Sequence, residues 1–395
     1  MHTGFDLPAP VPEALAHSER VRGHVIERIA AGGGFLGFAD YMDAVLYAPG
    51  LGYYSAGARK FGAAGDFVTA PELGAVFARC LARQAGAALA QLRGGDILEV
   101  GGGSGALAAD LLRALGDNLP DRYLLLEVSG ELRERQRQTL AARVPALLRR
   151  VTWLDALPAE PLTGVLIANE VLDALPVERF RMRGGVPWQM GVEVAGTGLK
   201  WAERPARAPL ADAVSALQVA LGQVLPDGYT TEIGLRHTAW LKSLLGILRQ
   251  GLALFLDYGG TRHDIYHDER RDGTLVGHYR HHQLADPFFL PGLQDLTAWV
   301  DFSAAADVAR QAGLNVATYA TQAHVLLASG VLEEGGQGAR QDDPAWLREM
   351  QQIQRLLLPG EMGERFKLLA LTRDFVPDLP LTVRDLKARL QGPIG

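Results

Sequence analysis

The chain has 395 residues, 48% hydrophobic and 21% charged, which is ample apolar mass for a folded core. A formal net charge of −6 supplies no electrostatic drive toward nucleic acid or a membrane surface. One cysteine, Cys80, excludes an internal disulfide framework and a Cys-rich zinc site, and reads as a small buried hydrophobe.

Residues 1–12 are Pro-rich and read as a loose tail. They hold no basic segment followed by an apolar run, so no secretory signal is expected and a cytoplasmic location is. Helical spacing runs from Glu13 to Ala30 and stops at Gly32-Gly33-Gly34. Residues 35–75 mix aromatics with glycines and predict ordered, turn-rich structure. A helix is predicted over Ala75–Leu92 and a buried strand over Asp96–Val100. Gly101-Gly102-Gly103-Ser104-Gly105 follows, then a helix from Ala106 to Leu115.

Further strand-like runs are Tyr123–Val128, Val151–Leu154, Gly164–Asn169 and Leu252–Asp257. Helical stretches at Glu131–Ala142 and Arg236–Leu248 lie among them. This alternation predicts an α/β fold, a parallel sheet with helices on both faces. Asn315–Tyr319 and Lys367–Thr372 are candidates to close its edge. Phe180–Met182 and Trp188–Val194 predict an inserted hairpin, and the His-, Tyr- and Pro-rich residues 258–300 a second insertion. The expected organisation is a tail and cap over the active site (1–75), then a core (76–395) with insertions near 176–230, 258–300 and 321–362. The apolar stretch Leu244–Leu256 is short and broken by Arg249 and Gln250, so no membrane insertion is expected.

A glycine-rich turn between strand and helix aims backbone N–H groups and a positive helix end at a bound nucleoside cofactor. The segment can be fitted to the dinucleotide fingerprint, with Glu127 near the place of a ribose-binding acid. Three details favour S-adenosylmethionine instead. Glu99 stands just before the first glycine, where an acid can face a cationic methionine end. Gly101, Gly103 and Gly105 alternate, which a pyrophosphate site does not require. Asp155, after the third strand, offers an acceptor to an adenine amino group.

Six ordered blocks carry a wider resemblance. They are Gly65-Asp66-Phe67-Val68-Thr69-Ala70-Pro71-Glu72, the glycine turn, Asn169-Glu170-x-x-Asp173-Ala174-Leu175-Pro176, Leu256-Asp257-Tyr258-Gly259, Asp295-Leu296-Thr297-Ala298 and Val300-Asp301-Phe302. From about residue 20 to about residue 375 the chain resembles the MidA-type S-adenosylmethionine-dependent methyltransferases. That family's mitochondrial members assemble respiratory complex I and methylate a protein arginine. The resemblance implies the class I methyltransferase fold, a Rossmann-like, mostly parallel seven-stranded sheet whose last strand is antiparallel. It implies that Glu99, Gly101, Gly103 and Gly105 wrap the methionine end, and that Glu127 with Val128 takes the ribose. Asp155 with Ala156 would serve the adenine, and Asn169 would border both cofactor and acceptor. Gly102 replaces a proline common in the family, and the surroundings of Glu232 also depart from its pattern, leaving that acid's role open.

A protonated arginine is a poor nucleophile, so a site that methylates it needs carboxylates to fix the guanidinium and accept its proton. Glu170, Asp173 and Asn169 are the catalytic candidates, the two acids sharing one side if their segment turns helical. Asp66, Thr69, Glu72, Asp257, Tyr279 and His281 are candidates for a substrate pocket. His278-Tyr279-Arg280-His281-His282 lacks a ligand complement for zinc, and no metal is expected. The expected product is S-adenosylhomocysteine and the expected partner a protein substrate, with no nucleic acid; a homodimer stays open. The alternatives are a non-catalytic, cofactor-binding assembly chaperone and a small-molecule O- or N-methyltransferase.

Overall fold

Among the described residues, seven strands form the main path of one sheet: Asp96–Val100 (β1), Tyr123–Leu126 (β2), Val151–Leu154 (β3), Leu162–Asn169 (β4), Leu248–Gly260 (β5), Asn315–Thr321 (β6) and Phe366–Arg373 (β7). Their order across the sheet is β3-β2-β1-β4-β5-β7-β6. The first five are mutually parallel, and β7 runs antiparallel to both neighbours. Val300–Asp301 adds a short parallel pairing at the end of β5. The computed structural model describes residues 7–55, 69–334 and 343–391.

The central strands are near-continuous apolar runs because helices cover both sheet faces. Ile97, Leu98, Val165, Leu166, Leu252 and Ala253 are fully buried. Helix Ala75–Leu92 turns Phe77, Cys80 and Leu81 into this core, and helix Ala106–Ala114 adds Leu107, Leu111 and Leu112. Helix Gly130–Arg143 starts where the Ser129 hydroxyl accepts the Leu132 N–H at 3.3 Å, an N-cap that ends β2 two residues earlier than the sequence predicts.

The described contacts divide into two compact units. The sheet unit comprises residues 69–173, 237–264 and 300–391. The other gathers the N-terminal segment to residue 55, residues 174–236 and residues 265–299. Within it, Glu178–Arg183 and Val186–Ala195 form the predicted hairpin, Arg181 opposite Trp188. Strands Thr230–Ile233 and Gly198–Pro205 extend that antiparallel sheet. Helix Pro12–Ala31 packs Val21, Val25 and Ile29 into a core with Phe38, Met42 and Val192.

This second unit also answers the question left by Glu232. Its buried carboxylate meets Arg179 Nη1 at 2.6 Å and accepts the Thr274 N–H at 2.8 Å. Arg179 reaches on to Asp272 at 2.6 Å. Glu232 is thus the anion of a buried ion pair inside its own unit. Among the described residues no helix is long and apolar enough to cross a membrane, and no group of three His, Cys, Asp or Glu could hold a metal ion.

Candidate active site

The glycine turn leaves β1 with Gly101, Gly103 and Gly105 at φ of 67°, 51° and 82°, a left-handed path that side chains disfavour. A Cβ on Gly105 would also stand 3.0 Å from the Gln136 Cα. The turn delivers the first N–H groups of helix Ala106–Ala114 to the carboxyl end of the sheet. Glu99 lies beneath it, 2% exposed, and accepts the Tyr123 hydroxyl at 2.6 Å. Burial pushes its carboxyl up to about 7; the tyrosine bond opposes the shift and Glu127 adds to it. Among the described residues no cation pairs with Glu99. A buried acid without a cationic partner suits the ammonium and sulfonium end of S-adenosylmethionine.

Glu127 follows β2 directly and is also buried. One oxygen accepts the Ser129 N–H at 2.9 Å, the other the Gln136 amide at 3.1 Å. Burial raises its pKa against those bonds and the nearby Arg133. Arg133 donates to the Leu154 carbonyl at 3.1 Å and pairs with Asp155, whose side chain is exposed. Val128 and Ala156 are exposed beside these two acids. Gln136 had no signal in the sequence. It is a polar residue on a helix whose only mark, full burial, appears once the helix has docked.

At the end of β4, Asn169 donates to Glu170 at 3.1 Å. Glu170 adopts φ 55°, a left-handed conformation unusual for a non-glycine residue, while its N–H donates to the Leu256 carbonyl at 2.8 Å. The following segment does not turn helical, so helical spacing does not bring Glu170 and Asp173 together. Asp257, from the adjacent β5, organises the loop instead. Its Oδ2 accepts the N–H groups of Val171, Leu172 and Asp173 at 3.0, 2.8 and 3.4 Å, and its Oδ1 accepts that of Tyr258 at 2.8 Å. Burial raises the Asp257 pKa, and the charges of Asp173 and Glu170 add to it. Three carboxyls therefore converge where β4 and β5 end.

Glu72, on the short helix Ala70–Leu73, accepts the Ser104 hydroxyl and so touches the glycine turn. Thr69 is buried as the residue preceding that helix. Asp66 lies outside the described residues. Tyr279 and His281 belong to the other unit. Tyr279 is buried with its hydroxyl on the Pro8 carbonyl at 3.2 Å, and His281 is exposed in the turn between strands Val276–Tyr279 and His282–Leu284.

A sheet of this order, with a glycine turn after its central strand and buried acids at the next strand ends, defines a class I methyltransferase. Residues 80–320 match the family of S-adenosyl-L-methionine-dependent methyltransferases, and the chain belongs to it. A superfamily member from Burkholderia thailandensis, crystallised with S-adenosyl-homocysteine, is 41% identical and superposes with a TM-score of 0.90, covering 96% of this chain and 98% of its own. The Drosophila melanogaster "Protein arginine methyltransferase NDUFAF7 homolog, mitochondrial" is 27% identical, over 93% of this chain and 89% of the relative. The Mus musculus protein arginine methyltransferase NDUFAF7 is 29% identical, over 84% and 80%. The ordered blocks of the sequence thus led to the right family, and the chain is an S-adenosylmethionine-dependent methyltransferase.

Proposed function

We propose that this methyltransferase acts on an arginine side chain of a protein, in the cytoplasm, and that the acceptor is a subunit of respiratory complex I. The names of the fly and mouse relatives support the arginine, and the motif resemblance supports the complex. One observation carries the reading: Glu170, Asp173 and Asp257 gather three carboxyls at the ends of β4 and β5. A guanidinium uses such acids twice, to fix its planar fork and to take its proton, whereas a neutral small acceptor needs at most one base.

In this reading Glu99 and the glycine turn hold the methionine end, Glu127 the ribose and Asp155 the adenine side. The cofactor supplies a methyl group on a sulfonium, so the protein's task is alignment and proton removal. Glu170, set by its left-handed backbone, grips the guanidinium and accepts the proton that the attacking nitrogen must lose. Asp257 keeps Glu170 and Asp173 in place through the amides between them. Asn169 orients the Glu170 carboxylate through its amide bond.

Incubating the protein with tritiated S-adenosylmethionine and a lysate from cells lacking it tests the proposal. A labelled protein that yields methylarginine on hydrolysis is the expected result. Label in a small molecule, or in no product, overturns it.

A further inference from the structure

Gln136 is fully buried on helix Gly130–Arg143, and all its polar atoms are engaged. The Trp153 indole N–H donates to its Oε1 at 3.0 Å. Its Nε2 donates to the Gly103 carbonyl and to the Glu127 Oε2, both at 3.1 Å. The amide cannot be turned over. An indole nitrogen only donates, so the amide oxygen must face it, which leaves the NH2 for a carbonyl and a carboxylate. Three consecutive strands are thereby tied at one side chain: the turn after β1, the acid just after β2 and Trp153 on β3. The backbone of Gln136 also abuts the turn, 3.0 Å from where a Cβ of Gly105 would lie.

We propose that Gln136 is the positioning residue of the cofactor site, holding the Glu127 carboxylate and the Gly103 turn in the one geometry that receives the nucleoside. It rests on the assignment of Glu127 to the ribose. With Oε2 held by Gln136 and Oε1 by the Ser129 N–H, the carboxylate keeps a single rotamer, and its remaining lone pairs are left for ligand hydroxyls. The same NH2 holds the Gly103 carbonyl and so fixes the path of the glycine turn. A residue that merely filled space would tolerate an isosteric change. A residue that acts through its two donors would not.

Two substitutions separate these roles. Gln136→Glu keeps the size and the acceptor for Trp153 but replaces the donors with an oxygen facing Glu127 and Gly103. Gln136→Leu removes all the bonds. Titration calorimetry with S-adenosylhomocysteine on the full chain, with circular dichroism to verify folding, gives the readout. Gln136→Glu is expected to weaken binding by about 10- to 100-fold, the scale of lost hydrogen bonds to a charged group. Glu127→Gln should weaken it on the same scale. The double variant Glu127→Gln/Gln136→Glu should fall well short of the product of the two effects, since both break one contact.

A folded Gln136→Glu variant that binds within about twofold of the native protein overturns the proposal, as do effects that multiply independently. Native affinity in Glu127→Gln would instead remove Glu127 from the ribose and take the proposal with it. That failure is told apart from the first because it appears without any change at Gln136. If Gln136→Leu does not fold, the near-isosteric glutamate variant decides alone. If that too is unfolded, Trp153→Phe, which removes only the indole donor, must weaken binding measurably, and unchanged affinity there overturns the proposal.

Discussion

Asp257 Oδ2 accepts the backbone N–H of Leu172 at 2.8 Å, and through that bond the end of one strand shapes the loop that leaves its neighbour. The flanking amides of Val171 and Asp173 converge on the same oxygen. A buried carboxylate costs free energy unless such donors compensate it. The loop that carries Glu170 and Asp173 is therefore placed by backbone amides bound to a third acid rather than by helical spacing.

Asp257→Ala is expected to destabilise the protein by roughly 2–4 kcal/mol, because several amides lose one shared acceptor at once. Urea unfolding measures this, and a loss below about 0.5 kcal/mol would show that water replaces the carboxylate. Methyl transfer should fall with it while S-adenosylhomocysteine still binds.

Glu127→Ala should weaken S-adenosylhomocysteine binding by about 1.5–3 kcal/mol, the range for hydrogen bonds to a charged group. An unchanged dissociation constant in a folded variant would take Glu127 out of the cofactor site.

Glu170 separates stability from activity. Glu170→Gly relieves a left-handed backbone and is expected to stabilise the fold by about 1 kcal/mol, while Glu170→Gln keeps the shape and removes the charge. Both should lower methyl transfer by about 10²-fold or more, the scale for a general acid–base group, with cofactor affinity nearly intact. Full transfer by the glutamine variant on a protein acceptor would assign the role to Asp173 or another acid.

The Glu99 carboxyl shifts from 4.5 to about 7 on folding. A raised acid pKa means that the folded state holds the proton more tightly than the unfolded chain. Its contribution to stability is complete below about pH 4.5 and is lost as pH rises through about 7. Glu99→Gln should remove this component, so that melting temperature against pH becomes flatter between those limits. A ligand ammonium favours the ionised acid, so binding near neutrality should release a proton. Calorimetry in buffers of different ionisation enthalpy detects it, and observed heats that do not vary with that enthalpy would refute the contact.

Glu232→Ala takes the buried carboxylate from Arg179 and leaves it the exposed Asp272 alone as a counter-charge, and about 3 kcal/mol of stability should be lost. Affinity for S-adenosylhomocysteine in the folded variant should be unchanged. A selective loss of that affinity would instead tie Glu232 to the cofactor.

Much of the molecule was legible in one dimension. Helix Ala75–Leu92 matches its predicted bounds, and β1, β3 and β4 lie where short apolar runs predict them, because strand and helix periods are written in neighbouring residues. The glycine turn was legible for the same reason: backbone freedom, the preceding acid and the following helix occupy one continuous stretch. What the chain order does not carry is the placing of β7 between β5 and β6, the meeting of Ser104 with Glu72, and the junction of Gly103, Glu127 and Trp153 at Gln136. The Asp257 bonds to the loop after β4 span 84 to 86 residues. Those contacts form only when strands distant in the chain align, and a buried polar group must then find its partner among whatever the packing brings near. The sequence by itself determined the elements, the family and the chemistry of the cofactor. Tertiary structure decided which acids share a loop and which amide holds them, since hydrogen bonds are satisfied by distance in space and not along the chain.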